Sequence, residues 1–491
     1  MTTSSNNFTD ERKSRLNKLK ELQSKKINPY PNYYRMEDYS ASVKKKFIDG
    51  GEKEFKTNVA GRIMLMRDFG KAIFATIKDN QGAIQIYARI DVLGEEKFSL
   101  FKLIDVGDII GVKGNVFKTH KGEITVLIEE FTILAKALNA LPEKWHGLTD
   151  VETRYRQRYV DLIVNDNVKS DFVCRSRIIS TIRSFLEERG FLEVETPMMQ
   201  SIPGGAMARP FITHHNALDM DLYLRIAPEL YLKRLIVGGF EKIYELNRNF
   251  RNEGIDTRHN PEFTMLELYQ AYADYRDMMT LFEEMMKYLA LKIKGDTTFE
   301  YQGRKLDFSK WNKIKYIEAL KQFANIDALK VGDEKEAMEL AKSKGFDDIG
   351  DFAGKWGIIN VFFEEYVEPN LMEPTIIYEY PSEISPLAKY KEDDANFVER
   401  FEPYVFGREI GNAFSELNDP FVQAERFMVQ AQKKAKGDDE AMYFDEDYIN
   451  ALEYGMPPAG GMGIGIDRLV MLFIDTNSIR DTILFPTLKT R

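Results

Sequence analysis

Cysteine is almost absent from this chain of 491 residues, since Cys174 is the only one. A single cysteine excludes a disulfide within the chain and any zinc site built from several cysteines. Long apolar runs are also missing, because no stretch approaches the roughly 20 residues that a membrane-spanning helix needs. Residues 1–10 are polar and lack the apolar core of a signal peptide. These absences together predict a cytoplasmic protein without a membrane segment.

The chain also lacks a net positive charge, with a formal value of −10. Such a total argues against nucleic-acid binding. The charge is uneven, however, because residues 11–46 are rich in Lys and Arg. A helix is predicted over 9–26, with Thr9 as its N-cap and apolar residues at helical spacing. Its basic side is either an ordinary solvated face or a face that follows phosphates, and local surfaces must decide between them.

Short runs rich in β-branched residues, separated by glycines, occupy the next part of the chain. A charged, helix-prone stretch near 93–104 lies between the third run and the fourth. This order predicts an OB-fold barrel over 56–136. The predicted strands are 59–66, 72–78, 83–88, 108–117 and 123–134.

Two side chains of the predicted barrel share its outer face. Alternation along the second and third strands turns Phe74 and Gln85 outward, on neighbouring strands. An aromatic ring beside an amide can stack on one base and form hydrogen bonds to another. Isolated exposed apolar residues are common, however, so an ordinary surface is an equal alternative.

The rest of the chain is predicted as a large region of mixed helices and strands, which makes the fold class α+β. Residues 1–55 are predicted to form an N-terminal helical extension and 137–166 a linker. The large region covers 167–491, with a helical insertion at about 300–375.

One stretch of the large region concentrates polar groups on a predicted hairpin. Strands over 242–253 and 261–271 flank a polar loop. An arginine on such a face suits carboxylate or phosphate, and a phenyl ring suits a flat base. A salt bridge across a solvated sheet is the alternative, but five groups in so short a span favour a site. On one face the hairpin would present Arg251, Glu253, Phe263, Glu267 and Tyr269.

Two further clusters carry weaker signals. Glu402 and Glu409 lie on either side of a predicted strand turn and offer carboxylate oxygens of the kind that Mg²⁺ binds. Three side chains share a face of the following strand: Asn412, Phe414 and Glu416. A glycine-rich turn at 460–465 precedes a predicted helix that carries Arg468 in its first turn, and it is neither a Walker loop nor a dinucleotide fingerprint.

These segments resemble the ordered motifs of class II aminoacyl-tRNA synthetases. The segment 250–263 is similar to motif 2, 463–468 to motif 3 and 190–197 to motif 1. The aspartyl, asparaginyl and lysyl enzymes share this layout behind an OB-fold. The segments 227–234 and 411–419 resemble the lysyl branch.

The resemblance implies a catalytic domain built on an antiparallel sheet flanked by helices, and a homodimer formed through motif 1. It implies that Arg251 clamps the substrate carboxylate and the α-phosphate of ATP, and that Arg468 meets the γ-phosphate. ATP is further contacted by Glu253 and His259, and its adenine stacks on Phe263. Mg²⁺ is held by Glu402 and Glu409. The lysine pocket is formed by Gly205, Glu229, Arg251, Glu267, Tyr269, Asn412 and Glu416.

In the barrel, the resemblance places Phe74 and Gln85 where the family reads anticodon bases of tRNA, with Glu123 as a further contact. A pocket with Glu229, Glu267 and Glu416 suits an ammonium, which needs compensating carboxylates when it is buried. The reaction implied is lysine activation by ATP and transfer to tRNA(Lys). The alternatives are an aspartyl or asparaginyl enzyme, an enzyme that attaches lysine to a protein, and a non-catalytic RNA-binding relative.

Overall fold

The computed structural model describes residues 10–142, 148–346 and 354–490 and divides the chain into two compact units. The first unit is Met1–Thr149 and the second is Asp150–Arg491. Thr9, the predicted N-cap, lies outside the described residues. In the part of the chain that is described, no helix is both long and apolar enough to cross a membrane.

The first unit contains a closed barrel with the strand order β1-β2-β3-β5-β4. Two short helices lie between β3 and β4, where the sequence predicted one helix-prone stretch. The closed barrel of five strands confirms the predicted OB-fold. Its elements are α1 (Asp10–Ser24), α2 (Ser40–Asp49), β1 (Phe55–Asp68), β2 (Ala72–Lys78), β3 (Ala83–Arg89), α3 (Ile90–Leu93), α4 (Glu95–Phe101), β4 (Ile109–Lys118) and β5 (Ile124–Ala135).

Alternation along β2 and β3 builds the barrel core. Ile73, Ile77, Ile84 and Ile86 are buried inside it, and every second residue between them is only partly buried. Because successive side chains of a strand point to opposite faces, the polar and aromatic residues remain on the outside.

Helix α1 packs on the barrel through a buried arginine. Arg15 Nη1 donates to the carbonyl oxygens of Val106 and Ala137, at 2.9 and 3.1 Å, and its Nη2 lies 2.9 Å from Glu11 Oε1. Lys18 forms an ion pair with Asp105. These two cations of the basic segment therefore hold the helix on the barrel, a role that neither the solvated face nor the phosphate-following face predicted.

The second unit is built around one large sheet. Its helices are α5 (Val151–Arg156), α6 (Arg158–Val164), α7 (Asp166–Glu187), α8 (Glu229–Val237), α9 (Tyr275–Lys294), α10 (Tyr316–Ala319), α11 (Glu334–Ser343), α12 (Gly354–Phe362), α13 (Pro420–Ala435), α14 (Glu446–Glu453), α15 (Ile466–Ile474) and α16 (Ile479–Thr482). Single turns of other helix types occur at Leu320–Ala324, Ala328–Lys330, Phe363–Val367, Glu368–Asn370 and Ser382–Ile384.

The strands of this unit are β6 (Leu192–Glu193), β7 (Met199–Gln200), β8 (Phe211–His215), β9 (Met220–Leu224), β10 (Lys242–Phe250), β11 (Glu262–Ala271), β12 (Thr298–Tyr301), β13 (Arg304–Asp307), β14 (Asn312–Lys315), β15 (Thr375–Tyr378), β16 (Arg400–Val405), β17 (Arg408–Glu409), β18 (Gly411–Ser415) and β19 (Ala459–Gly465). The large sheet has the order β14-β15-β16-β18-β19-β11-β10-β6, and β17 pairs with β16.

The large sheet is antiparallel at its centre, as the resemblance implied, but its edges are not. β14 pairs with β15 in parallel at one edge, and β6 pairs with β10 in parallel at the other. The α+β class and the helix-flanked sheet are confirmed. One correction is that the sheet is mixed, because each edge strand returns through a long connection instead of a hairpin.

The predicted insertion and linker have other limits in the structure. Helices occur between Tyr316 and Asn370, whereas residues 298–315 carry β12, β13 and β14; residues 347–353, within the predicted insertion, lie outside the described residues. The predicted linker, 137–166, contains α5 and α6. Arg158 of α6 is buried and donates to Asp161 and to the carbonyl oxygen of Leu484, so this segment belongs to the second unit.

The main apolar core covers one face of the large sheet. Helices α7, α9 and α15 supply most of it through residues such as Phe185, Phe282 and Leu469. On the sheet side, Leu266 and Leu268 of β11 enter the same core. The residues between them must therefore face away from it, and they lie on the face where the cavities are found.

Candidate active site

Four neighbouring strands repeat this alternation and together line a cavity of about 290 Å³. Each buries apolar residues in the core and turns the residues next to them into the cavity. Sheet geometry thus assembles side chains that are far apart in the sequence. The cavity-lining residues on these strands are Arg400 and Glu402 of β16, Asn412 and Phe414 of β18, Gly461, Met462 and Gly463 of β19, and Met265, Glu267 and Tyr269 of β11.

All the residues that the sequence predicted to bind the substrate lysine lie at this cavity. Gly205 and Glu229 reach it from outside the sheet, and Arg251 lies beyond the end of β10. Gly205 has a φ of +85°, and a Cβ there would lie 2.8 Å from the Cβ of Glu229. Both conformation and space therefore require glycine at this position. The predicted set that lines the cavity is Gly205, Glu229, Arg251, Glu267, Tyr269, Asn412 and Glu416.

A buried lysine, which the sequence interpretation overlooked, lies against two of the acidic residues. Lys233 is fully buried one helical turn after Glu229, and its Nζ lies 2.7 Å from Glu229 Oε1 and also contacts Glu416 Oε2. The prediction counted three carboxylates as an acidic pocket, and Lys233 offsets one of those charges. The signal was present as the Glu229–Lys233 spacing of four residues, which joins opposite charges on a helix.

Burial dominates the protonation of the remaining carboxylate. The pKa of Glu267 is raised to about 8, by desolvation first and by the charge of Glu229 second. Tyr269 donates a hydrogen bond of 3.2 Å to Glu267, and burial raises the pKa of this phenol as well. The pocket without a ligand therefore holds a proton near Glu267 at neutral pH, and a cationic ligand favours its release.

A second, narrower cavity of about 130 Å³ shares Arg251 with the first. Arg251, Glu253, His259, Phe263 and Arg468 all line it, so the predicted nucleotide residues are brought together. The prediction that Arg251 and Glu253 share one face of a strand is wrong, because β10 ends at Phe250 and both residues belong to the loop. Arg251 is placed instead by its backbone N–H, which donates to the carbonyl oxygen of Pro261 at 2.9 Å.

Arg251 lines both cavities, and not all of its hydrogen-bond donors have a partner in the described part of the chain. Its Cζ lies 5.1 Å from the centroid of the Phe263 ring, and its Nε is buried without a hydrogen-bond partner among the described residues. Burial lowers the pKa of this arginine, but a guanidinium remains charged in proteins. Arg251 is a half-buried cation at the junction of two cavities, and one of its N–H groups has no hydrogen-bond partner among the described residues. Such a group is suited to an anionic ligand.

Arg468 lies in the first turn of α15, as predicted, and is held by two neighbours. Its Nη1 lies 3.2 Å from Glu409 Oε2, and its Nη2 lies 3.4 Å from His259 Nε2. Asp256 positions the histidine, because its Oδ2 lies 2.9 Å from His259 Nδ1. Desolvation opposes ionisation of Asp256, but the hydrogen bonds from His259 and the backbone of the loop lower its pKa to about 2.

The residue before Arg468 ties this cavity to the rest of the fold. Asp467 is buried and accepts from Arg175 of α7 at 2.6 Å and from the backbone N–H of Thr264 at 2.7 Å. Arg175 also donates to Thr264 Oγ1 at 3.0 Å. Segments that lie almost 300 residues apart are therefore joined directly beside the Phe263 ring.

Glu409 of the predicted magnesium pair lines both cavities, whereas Glu402 lines only the larger of the two. Glu402 Oε2 accepts from Tyr380 and Tyr404, at 2.8 and 2.6 Å, and its Oε1 faces Arg400, which the prediction also overlooked. Burial and the charge of Glu402 raise the pKa of Glu409. Within the described ranges no group of three or more metal-ligating side chains occurs, and a pair of carboxylates fits Mg²⁺ that is bound together with phosphates.

The glycine-rich segment predicted as a turn is the strand β19, which is a correction. Gly461 faces the cavity, and a Cβ there would lie 2.0 Å from Glu416 Oε1 and 2.6 Å from Tyr269 Cε1. At Gly460 a Cβ would meet Met278 and Asp274 on the core side. The glycines serve close packing on both faces of a strand, since β19 lies at the centre of the sheet.

In the barrel unit, Phe74 and Gln85 occupy the outer face as predicted. The Phe74 ring stacks on Tyr87, with 4.0 Å between centroids and 10° between planes. Gln85 Oε1 accepts a 2.9 Å hydrogen bond from Thr125, which leaves its amide N–H groups for other partners. Glu123, which was predicted as a further contact to anticodon bases, has its Oε1 3.9 Å from Lys44 Nζ and thus has a partner within the protein.

Comparison with known proteins agrees with both units. Residues 150–489 match the family described as tRNA synthetases class II (D, K and N), and residues 57–134 match the OB-fold nucleic acid binding domain. A lysine–tRNA ligase of Pelotomaculum thermopropionicum is 58% identical over 479 residues, which cover 97% of this chain and 94% of that protein. The chain belongs to the lysyl branch of the class II tRNA synthetases.

Other relatives of this synthetase span its whole length. A lysine–tRNA ligase of Syntrophomonas wolfei subsp. wolfei is 55% identical and covers 100% of this chain and 99% of its own. One from Carboxydothermus hydrogenoformans is 57% identical over 98% of both chains. The resemblance seen in the three motifs is therefore confirmed over both units.

Proposed function

We propose that this chain is an ATP-dependent lysine–tRNA ligase, which forms lysyl-adenylate and transfers the lysyl group to the 3′ end of tRNA(Lys). The observation that carries the proposal is the pair of adjoining cavities that share Arg251. One adds buried carboxylates to this arginine, and the other adds an aromatic ring and a second arginine. The names of the full-length relatives support the same reaction.

In the first step, the carboxylate of lysine attacks the α-phosphate of ATP, the bond to the leaving pyrophosphate breaks, and the acyl phosphate bond forms. No general base is needed, because the attacking carboxylate is already ionised. Arg251 contributes by holding both anions in one place and by neutralising charge that develops on the phosphate. The hydroxyl group at the tRNA end then attacks the acyl carbon and releases AMP.

Residues of the narrower cavity hold the nucleotide in this proposal. Adenine stacks on Phe263, Glu253 and His259 contact ATP, and Arg468 meets the γ-phosphate. Glu402 and Glu409 would hold Mg²⁺ that arrives with ATP, and the ion would neutralise phosphate charge. The mutual repulsion of these two carboxylates supports this assignment, because it is relieved when a cation binds.

The larger cavity accepts lysine, with its carboxylate at Arg251 and its side-chain ammonium among the acidic residues. Glu229 and Glu416 suit the ammonium because both are buried and carry a net negative charge together with Lys233. Glu267, Tyr269 and Asn412 complete the pocket, and Gly205 leaves room for the ligand.

The barrel contributes tRNA recognition in this proposal, with anticodon bases against Phe74 and Gln85. A half-exposed ring and an amide on one face are suited to stacking and base contacts. A homodimer through the motif 1 segment and a cytoplasmic location also belong to the proposal.

ATP–pyrophosphate exchange with each standard amino acid tests the proposal. Exchange is expected with lysine and not with aspartate or asparagine, whose side chains would place no cation beside Glu416. Exchange with aspartate alone would refute the assignment. Charging of tRNA against protein acceptors then separates this enzyme from one that lysylates a protein.

A further inference from the structure

The buried triad Glu229, Lys233 and Glu416 sets the charge of the pocket. The ion pairs join Lys233 to both carboxylates, and all three side chains are at least nine-tenths buried. The Lys233 Nζ also lies 5.6 Å from the Phe414 ring, and Tyr448 packs nearby. A charge in such surroundings is retained only when it is paired, so the three groups act as one unit.

One oxygen of the triad remains available to a ligand. Glu416 Oε1 is buried without a hydrogen-bond partner among the described residues, although its residue lines the cavity. Gly461 leaves the space in which this oxygen lies. An unsatisfied buried carboxylate oxygen is costly, and an arriving ammonium would satisfy it.

When both carboxylates are ionised, the charges of the triad sum to minus one, which matches one ammonium. Burial raises the pKa of Glu416, and a bound ammonium favours its ionised form. Without Lys233 the two carboxylates would repel each other and share a proton, as close carboxylates do. They would then no longer be held apart with one oxygen free. Lys233 therefore fixes both the charge and the positions of the two acceptors.

We propose that Lys233 is a positioning residue that makes the Glu229–Glu416 pair selective for a single side-chain ammonium. The inference rests on the proposed function, because it concerns the lysine pocket of that enzyme. It assigns Lys233 no contact with the reacting atoms. Its effect is expected in the KM for lysine, since ATP occupies the other cavity.

The test is lysine-dependent pyrophosphate exchange with a cycle of variants. Lys233→Met is expected to raise the KM for lysine about tenfold or more, with the KM for ATP within about twofold, while Lys233→Arg recovers part of the loss. Glu229→Gln makes the triad neutral overall, because the charges of Lys233 and Glu416 cancel, and it also raises the KM for lysine. Adding Lys233→Met to Glu229→Gln restores a charge of minus one, so the double variant is expected to bind lysine better than Glu229→Gln alone.

A purely structural lysine would give the opposite sign. In that case the double variant would be no better than Glu229→Gln, the affinities for lysine and ATP would fall together, and the inference would be overturned. If Lys233→Met does not fold, the double variant still decides, because its pocket carries the same net charge of minus one as the unmodified triad. Failure of the proposed function is distinguishable, since the unmodified enzyme would then show no lysine-dependent exchange.

Discussion

The outer face of the barrel and the cavities of the catalytic unit present their functional groups in opposite ways. Phe74 and Gln85 are neutral, partly exposed and supported by neighbours on a strand pair. Glu229 and Glu416 are buried and joined through Lys233, and Arg251 is a half-buried cation where the two cavities adjoin. A neutral exposed face loses affinity gradually when it is changed, whereas a buried charge network fails as a unit.

Removal of Arg251 gives the sharpest contrast with the barrel. Arg251→Ala is expected to lower the rate of pyrophosphate exchange at least about a thousandfold, because the developing phosphate charge loses its fixed partner. The fold should remain intact, which the unfolding temperature reports. Arg248→Ala is the matched control, because Arg248 Nε lies 3.5 Å from Oε1 of Glu262, an exposed residue. Exchange near the unmodified rate in Arg251→Ala would end the catalytic assignment.

Loss of the barrel ring should affect only the second substrate. Phe74→Ala is expected to lower kcat/KM for tRNA charging by about tenfold to a hundredfold, the range that loss of base stacking produces. Lysine-dependent exchange without tRNA should not change. Phe69→Ala is the comparison, because that ring meets Phe74 edge-on and is 67% exposed. Equal losses in charging and exchange would contradict a role confined to tRNA.

The raised pKa of Glu267 predicts a pH dependence for lysine binding. Below its pKa of about 8 the side chain is neutral, and above it the carboxylate attracts a cation. The KM for lysine should therefore fall as pH rises, by up to about tenfold per unit below this pKa, and then level off. Measurement between about pH 6.5 and 9 checks the slope. Glu267→Gln should show a higher KM that no longer follows this titration.

The smallest effect is expected from one methyl group in β19. Gly461→Ala would crowd Glu416 and Tyr269, and about 1 kcal/mol of overpacking corresponds to roughly a fivefold higher KM for lysine. Gly460→Ala points to Met278 on the core side and should lower the unfolding temperature without changing this KM. Identical behaviour of the two variants would show that the strand responds as a whole and that the cavity face has no separate role.

Period-two alternation predicted the strands of the barrel because it is a local property, and the resemblance of the motifs implied the residue sets of both cavities. Phe74 and Gln85 face outward because of this alternation. Lys233 was missed although Glu229 lies only four residues away, because its second partner, Glu416, is brought near only by the folded sheet. β19 was taken for a turn because the reason for its glycines is the approach of other segments.

Asp467 links the formation of the nucleotide cavity to the folding of segments that are distant in the sequence. Because this carboxylate joins Arg175, Thr264 and the start of α15, a fragment that lacks α7 or α15 cannot form these contacts beside the Phe263 ring. Nucleotide affinity is thereby linked to complete folding of that unit, and ATP should protect the whole of it against heat instead of one loop.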